Sequence, residues 1–296
     1  MVIEDEAELT GAVEAAMAAT PDARLREVMA ALVRHCHAFL REALPTEDEF
    51  EAGMRFLVGL GQACSDVKNE VVLAADVLGM STLVGLLNNP VGCGQTAAAL
   101  LGPFWRANAP SYALGTNLVQ SPTPGQPLFV SGVIRDTRGA PVAGASVDVW
   151  HASPVGLYEN QDPEQAEMNL RGLFTTDAEG RFHFRSVRPA GYPVPTDGPV
   201  GDLLRAQRRH PFRPAHIHFM VTKPGFKTLI TQIFADDAEH LDTDVTFGVL
   251  RSIIGDYVRH EQGPAPAPDV DGPYYTLEYD FVLEHGEMRI PVPPIP

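Results

Sequence analysis

The sequence predicts a mainly β fold, in which an α-helical N-terminal region precedes a β-sandwich. Apolar side chains recur at three- and four-residue steps over about the first 90 positions, as they do in helices. Proline and glycine then interrupt the chain, and beyond them apolar residues recur every second position in short runs separated by turns. We expect a helical region with its linker at residues 1–105 and the sandwich at residues 106–296.

Three helices are expected in the N-terminal region. The first carries a long apolar stripe, the second opens with a capping box formed by Thr46 and Glu49, and a third runs from about Asp66 to Leu87. Apolar stripes must be covered, and we expect a homodimer in which these helices pack against their symmetry mates. The stripes consist of Leu25, Val28, Met29, Leu32, Val33, Cys36, Phe39 and Leu40 in the first helix, and Phe50, Met54, Leu57 and Val58 in the second.

A linker rich in proline and glycine begins near Asn88, where a helix cannot continue. The β-rich runs that follow are separated by turn signals such as Arg138-Gly139 and Glu179-Gly180, a pattern typical of a β-sandwich. Strands are expected at residues 128–134, 145–150, 173–176, 181–187, 215–221, 229–234 and 279–283.

The composition restricts the classes of function. A chain of 296 residues with 45% hydrophobic and 20% charged residues is typical of a soluble globular protein, and its net charge of -16 opposes binding to nucleic acid. No apolar run is long enough to span a membrane and the N-terminal residues are acidic, so we expect a cytoplasmic protein. Cys36, Cys64 and Cys93 lack the paired spacing of a zinc site, and we expect them to be buried free thiols.

Two histidines, His216 and His218, are the first candidates for chemistry. One residue separates them on an expected strand, so both imidazoles project from the same face, where two nitrogens can reach one metal ion. His35 and His37 have the same spacing on an expected helix, where they point to nearly opposite sides. We therefore expect this second pair to be structural or exposed.

Two tyrosines strengthen the prediction of a metal site. Tyr158 and Tyr192 lie in turn-like segments, Gly156-Leu157-Tyr158 and Gly191-Tyr192-Pro193-Val194-Pro195. A tyrosine by itself is more often a half-buried side chain whose hydroxyl forms a hydrogen bond than a metal ligand. The combination of both tyrosines with the histidine pair is what favours a functional site.

In the order and spacing of its motifs, the sequence resembles the intradiol ring-cleavage dioxygenases, and more closely the branch of catechol and hydroxyquinol 1,2-dioxygenases. The resemblance spans nearly the whole chain. It is carried by the motifs Leu101-Gly102-Pro103-Phe104, Val149-Trp150-His151-Ala152, Gly156 to Tyr158, Gly191 to Pro195, Arg213 to His218, and Thr231-Gln232.

This resemblance implies an enzyme of aromatic catabolism with one non-haem Fe(III) per subunit, which inserts both atoms of O2 into an aromatic diol. The implied iron ligands are Tyr158, Tyr192, His216 and His218, with Tyr192 the ligand that the substrate displaces. Two phenolates and a hydroxide balance three positive charges, and neutral imidazoles complete the shell.

The resemblance also implies roles for two further residues and a site for a bound phospholipid. Arg213 is expected to direct a permanent cation at the charge that develops on the ring, and Gln232 to assist it. The same resemblance implies that a phospholipid can occupy the interface between the N-terminal helices.

Two features favour hydroxyquinol, 1,2,4-trihydroxybenzene, over catechol as the substrate. Phe104 resembles the hydroxyquinol branch, whereas the catechol branch tends to carry leucine followed by tyrosine at this motif. Asp76 interrupts an apolar run, and a buried carboxylate there would need a donor such as a third ring hydroxyl; alternatively, Asp76 faces solvent or a neighbouring cation. The other expected ring contacts are Leu73, Leu101, Gly102, Pro103, Phe104, Val194, Pro195 and Arg213.

Three alternatives stay open at this point. Catechol as the substrate would give cis,cis-muconate, whereas hydroxyquinol would give 3-hydroxy-cis,cis-muconate, which is equivalent to maleylacetate. A non-catalytic β-sandwich binding module would make the histidines and tyrosines ordinary core residues. A zinc hydrolase would use the histidine pair, but the sequence offers no third histidine or carboxylate at suitable spacing.

Overall fold

The computed structural model describes residues 2–66, 68–261 and 265–294, and the chain forms two compact units, Met1–Val58 and Gly59–Pro296. A helical N-terminal region precedes two β-sheets, which confirms the predicted fold class. The expected domain boundary after residue 105 stays a prediction.

The first helices are α1 (Glu6–Ala16), α2 (Ala23–Ala43) and α3 (Glu47–Gln62). The predicted capping box is confirmed, because the Thr46 amide donates to Glu49 Oε2 at 2.8 Å and the Glu49 amide donates to Thr46 Oγ1 at 3.3 Å. Much of the apolar stripe of α2 is exposed in this single chain, including Leu25, Leu32 and Phe39.

The expected third helix is in fact two helices, α4 (Glu70–Val77) and α5 (Met80–Asn88), bent by 74°. Gly79 makes the break, because its φ of 72° lies in the left-handed region that ends a right-handed helix. In the part of the chain that the structure describes, no single helix is long and apolar enough to cross a membrane. By length and composition alone, α4 and α5 taken together would be.

The remaining chain builds two five-stranded sheets and one short pair of strands. The strands are β1 (Pro127–Asp136), β2 (Ser146–Trp150), β3 (Arg171–Thr175), β4 (Arg181–Val187), β5 (Tyr192–Pro193), β6 (Phe212–Arg213), β7 (His216–Thr222), β8 (Leu229–Ala235), β9 (Ile254–Gly255), β10 (Tyr257–His260), β11 (Tyr274–Glu278) and β12 (Phe281–Leu283). In the first sheet, β11 and β12 pair in succession with one edge of β1, β4 pairs with the other edge, and β10 pairs with β11. The second sheet has the order β3-β2-β7-β8-β9, and β5 pairs with β6.

Every predicted strand is present, within a few residues of its expected bounds. The strands that sequence reasoning missed are β5, β6, β9, β10 and β11, most of them too short to show a period of two. The helix α6 (Pro199–Ala206) was also missed, because it begins at a proline inside a glycine- and proline-rich segment. The expectation of buried thiols was wrong: Cys36, Cys64 and Cys93 are free and exposed.

The second sheet carries a row of four side chains in register across four strands. Arg171 on β3 pairs with Trp150 on β2, Trp150 pairs with His218 on β7, and His218 pairs with Gln232 on β8. All four residues are buried. This row places the histidine pair at the centre of a polar cluster inside the sandwich unit.

Candidate metal centre

His216 and His218 point to one location, as their spacing on a strand predicted. They are the first and third residues of β7, both are buried, and their Nε2 atoms lie 3.1 Å apart. His216 Nδ1 lies 2.7 Å from the carbonyl oxygen of Pro214, which can only accept, so Nδ1 carries the proton and Nε2 is free to bind a cation. By contrast, His35 is exposed and His37 contacts Thr10 Oγ1, so that pair is structural or exposed as expected.

The two tyrosines bring their hydroxyls to the same place. Tyr158 precedes a short 3-10 helix and Tyr192 begins β5, and their Oη atoms lie 3.2 Å apart. Tyr192 Oη is 3.5 Å from His216 Nε2, so the two phenols and the two imidazoles converge. Gly156 allows this approach, because a Cβ at its position would lie 3.0 Å from Tyr192 Cβ.

Aromatic rings and one glycine fix the orientation of these side chains. Trp150 stacks on His218 with ring centroids 4.7 Å apart and an interplanar angle of 12°. Phe104 packs on Tyr158 at a centroid distance of 4.7 Å. The backbone of Gly102 packs closely against the His218 ring, since a Cβ at residue 102 would lie 3.2 Å from His218 Cε1. The donor atoms are therefore preorganised by packing.

Burial keeps all four side chains neutral. It raises the pKa of Tyr158 well above its usual value and also raises the pKa of Tyr192. Burial, together with the cation of Arg213, lowers the pKa of His216 to about 3, and burial lowers the pKa of His218 well below its usual value. Four neutral oxygen and nitrogen donors thus surround one point, and a bound cation would release the two phenol protons.

This donor set fits a hard trivalent ion better than zinc. Two phenolates would supply two negative charges without inviting redox chemistry at sulfur. Within residues 2–66, 68–261 and 265–294, no group of three or more His, Cys, Asp or Glu side chains is arranged to hold a metal ion. Zinc sites are built from those four residue types, so the zinc alternative lacks its ligands in this part of the chain.

Arg213 lies beside the donor atoms and is held by two partners. Its Nη1 is 3.4 Å from His216 Nε2, and its Nη2 donates to Gln232 Oε1 at 2.8 Å. Burial would lower the pKa of Arg213, but the charge and hydrogen bonds of Asp244, together with the two neighbouring tyrosine oxygens, outweigh burial and raise the pKa. Gln232 also donates to the Leu100 carbonyl at 2.7 Å, which fixes its amide.

Asp244 is the residue of this cluster that sequence reasoning missed. Its carboxylate accepts from Arg213, from Thr246 Oγ1 at 2.9 Å and from the Gly248 amide at 2.9 Å. Burial would raise the pKa of Asp244, but the charge of Arg213 and the hydrogen bonds from Arg213, Gly248 and Thr246 together outweigh burial and lower the pKa. The residue lies in a segment without regular secondary structure, where no periodicity or spacing connects it to Arg213.

A cleft of about 640 Å³ lies next to this centre and is lined by Asp76, Ser81, Leu101 and Gly102, among others. Gly102 connects the two, because it lines the cleft and touches His218. Asp76 is buried, which excludes the alternative of a solvent-facing carboxylate. Burial raises the pKa of Asp76 to about 6, although a hydrogen bond from Ser81 and the charge of Arg213 oppose that shift.

Five further residues expected to contact the ring do not line the cleft. Leu73, Phe104 and Val194 are buried, and Pro103 and Pro195 are partly buried. Their contact with a substrate stays a prediction.

Known proteins are similar to this chain in both fold and sequence. A dioxygenase family model matches residues 100–285, and a model of the catechol dioxygenase N terminus matches residues 22–96. A 6-chlorohydroxyquinol 1,2-dioxygenase from Cupriavidus pinatubonensis is 43% identical over 94% of this chain and 97% of its own length. A hydroxyquinol 1,2-dioxygenase from a Rhizobium species is 42% identical over 88% of this chain and 90% of its own length.

Solved structures agree with these matches. A hydroxyquinol 1,2-dioxygenase from Pseudomonas putida superposes with a TM-score of 0.86 at 38% identity, covering 95% of this chain and 98% of that one. A catechol 1,2-dioxygenase from Pseudomonas arvilla gives 0.82 at 31% identity, covering 96% and 92%. Fold and sequence together are those of a dioxygenase. Within that class, the chain belongs to the intradiol ring-cleavage dioxygenase family.

Proposed function

We propose that this enzyme cleaves hydroxyquinol between two adjacent hydroxyl-bearing carbons and inserts both atoms of O2 to give 3-hydroxy-cis,cis-muconate, the enol form of maleylacetate. One observation carries the proposal: four buried donors converge beside a cleft that holds a buried carboxylate, Asp76. The relatives named above that act on hydroxyquinols support the same substrate.

The proposed iron ligands are Tyr158, Tyr192, His216 and His218, with one Fe(III) per chain. Ferric iron, when bound, would withdraw electron density from a chelated diol and make its ring reactive toward O2. Tyr192 Oη is the proposed base that takes the proton of one substrate hydroxyl as the substrate binds. It suits this role because it contacts both Tyr158 Oη and His216 Nε2 and so lies within the donor cluster.

Arg213 is the proposed catalytic cation. Its guanidinium cannot lose its proton and lies beside the donor atoms, so it would stabilise the negative charge that develops on the ring. Gln232 and Asp244 hold it from two sides, which limits its rotation before the substrate arrives.

Asp76 is the residue proposed to select hydroxyquinol, a triol, over catechol. Its carboxylate lines the cleft and is buried, so it would accept a hydrogen bond from the hydroxyl that hydroxyquinol has and catechol lacks. Ser81 holds the carboxylate by a hydrogen bond. Binding catechol instead would leave Asp76 without that donor, which disfavours catechol.

We further propose that the protein is a cytoplasmic homodimer. The exposed apolar side chains of α2 and α3, such as Phe39, Met54 and Leu57, support an interface built from these helices. A phospholipid bound among them would cover part of the same surface. Gel filtration over a range of concentrations tests the dimer, and a monomer at every concentration would refute it.

Aerobic turnover of hydroxyquinol and catechol, measured side by side as O2 uptake, tests the proposed substrate. We expect hydroxyquinol to have the higher kcat/KM and the iron-loaded protein to be wine-red from tyrosinate-to-iron charge transfer. A preference for catechol would refute hydroxyquinol as the preferred substrate but would not contradict the proposed iron site. A colourless protein that contains iron would refute the tyrosine ligands.

A further inference from the structure

Arg171 is a buried cation that the proposed mechanism leaves unused. It is only 1% exposed and begins β3, where it pairs in register with Trp150. Its Nε donates to Glu159 Oε2 at 2.7 Å, whereas Nη1 and Nη2 find no hydrogen-bond partner among the residues that the structure describes. The donor groups of buried arginines usually form hydrogen bonds, so two unbonded nitrogens in one buried guanidinium need an explanation.

The guanidinium faces the ring of Tyr158. Arg171 Cζ lies 5.7 Å from the centroid of that ring, within the range of a cation–π contact. The attraction becomes stronger when the ring carries the negative charge of a phenolate, because both groups are then charged in a medium of low dielectric constant. Arg171 is therefore positioned to act on the tyrosine when that residue binds a metal ion.

Two arginines share the carboxylate of Glu159, next to Tyr158. Glu159 follows Tyr158 in the chain and accepts from Arg171 on one oxygen and from Arg106 Nη1, at 3.0 Å, on the other. Arg106 also contacts Glu167, but that carboxylate is exposed, so solvent screens its charge. Glu159 thus faces both arginines, and Asp148, a second buried carboxylate, also interacts electrostatically with Arg171.

We propose that Arg171 is a positioning residue whose fixed charge lowers the energy of the electrons that the Tyr158 oxygen donates to the bound ferric ion. The inference rests on the proposed iron site. It involves no proton transfer, because a guanidinium stays charged. Arg171 would act through Tyr158 and would not contact the substrate.

The energy of the tyrosinate-to-iron charge-transfer band in the visible spectrum is the readout. Arg171→Met removes the charge and raises the energy of the phenolate electrons, so the band should move to longer wavelength, by on the order of 10 nm. Arg171→Lys keeps a cation and should return the band toward its wild-type position. Glu159→Gln removes the neutralising carboxylate, so the band should move to shorter wavelength.

A matched control is available elsewhere in the sandwich. Arg185 Cζ also lies 5.7 Å from a ring centroid, that of Phe129, and Arg185 pairs with Asp269. Phe129 cannot bind iron, so Arg185→Met should leave the band unmoved even if it lowers the melting temperature. Loss of packing alone would not shift the band in opposite directions in two variants.

The possible results separate this inference from the proposed function. Iron-loaded wild-type protein without a visible band would overturn the iron site itself. A wild-type band that Arg171→Met and Glu159→Gln leave in place, or move in the same direction, would overturn the role of Arg171 alone. If Arg171→Met does not fold, a shift to shorter wavelength in Glu159→Gln supports the role, and no shift overturns it.

Discussion

Arg213 and Asp244 form a two-point ion pair in the interior, with Nε 3.1 Å from Oδ1 and Nη2 3.2 Å from Oδ2. Both side chains are buried, so neither charge is solvated by water. The carboxylate neutralises the arginine and fixes the plane of its guanidinium, while a third N–H group stays directed at His216. The cation next to the proposed iron is thus oriented by a residue far from it in sequence.

Asp244→Ala should destabilise the protein by about 3–5 kcal/mol, because it leaves the Arg213 charge buried without its partner. Urea unfolding measures this loss, and kcat should fall as Arg213 loses its orientation. Asp202→Ala is the control, since Asp202 pairs with Arg205 at an exposed site and should have little effect. Equal stability of the two variants would contradict the structural role of Asp244.

Gly102→Ala should lower the iron content of the purified protein. The new methyl group would lie 3.2 Å from His218 Cε1 and displace this proposed iron ligand. The control is Gly92→Ala, because Gly92 has a similar positive φ of 89° but nothing within 4 Å of the added Cβ. Backbone strain should cost each variant about 1 kcal/mol, so only a selective loss of iron in Gly102→Ala supports the contact with His218.

Asp76→Asn should reduce kcat/KM for hydroxyquinol by about 10- to 100-fold, because a hydrogen bond to a charged group contributes about 1.5–3 kcal/mol. Turnover of catechol should change far less, since catechol lacks the third hydroxyl. Asp148→Asn is the matched control: Asp148 is also buried with a pKa raised to about 6, but Trp105 is its hydrogen-bond partner. An unchanged substrate ratio in Asp76→Asn would remove Asp76 from substrate recognition.

Asp76 should also make stability depend on pH. Burial raises its pKa from 3.8 to about 6, so folding penalises the charged form, and this penalty grows as pH rises through that interval. Asp76→Asn lacks this penalty. The stability of the variant relative to wild type should therefore be greater at pH 8 than at pH 5, by roughly 1 kcal/mol. Chemical unfolding of both proteins at the two pH values provides the test. A constant difference would show that Asp76 is already ionised at pH 5 and that burial does not raise its pKa.

The sequence predicted the parts of the site that short-range geometry determines. The strand that carries His216 and His218 follows from alternation, and the strand at Arg181–Val187 was predicted within its observed bounds. The helix break at Gly79 was missed, because its apolar pattern continues through the glycine. Asp244 and Arg171 could not be predicted, since their roles depend on contacts between segments distant in the chain.

The long strand β1 has a consequence for how the chain reaches its folded state. One edge of β1 pairs with β4, and the other edge pairs first with β11 and then with β12, both of which lie near the end of the chain. Among the residues that the structure describes, the strand partners of that edge are β11 and β12, so it stays unpaired at least until the ribosome has passed Tyr274. Late closure of this kind slows folding and exposes a strand that can pair with other chains. Chaperone demand and aggregation during synthesis should therefore concentrate on this edge.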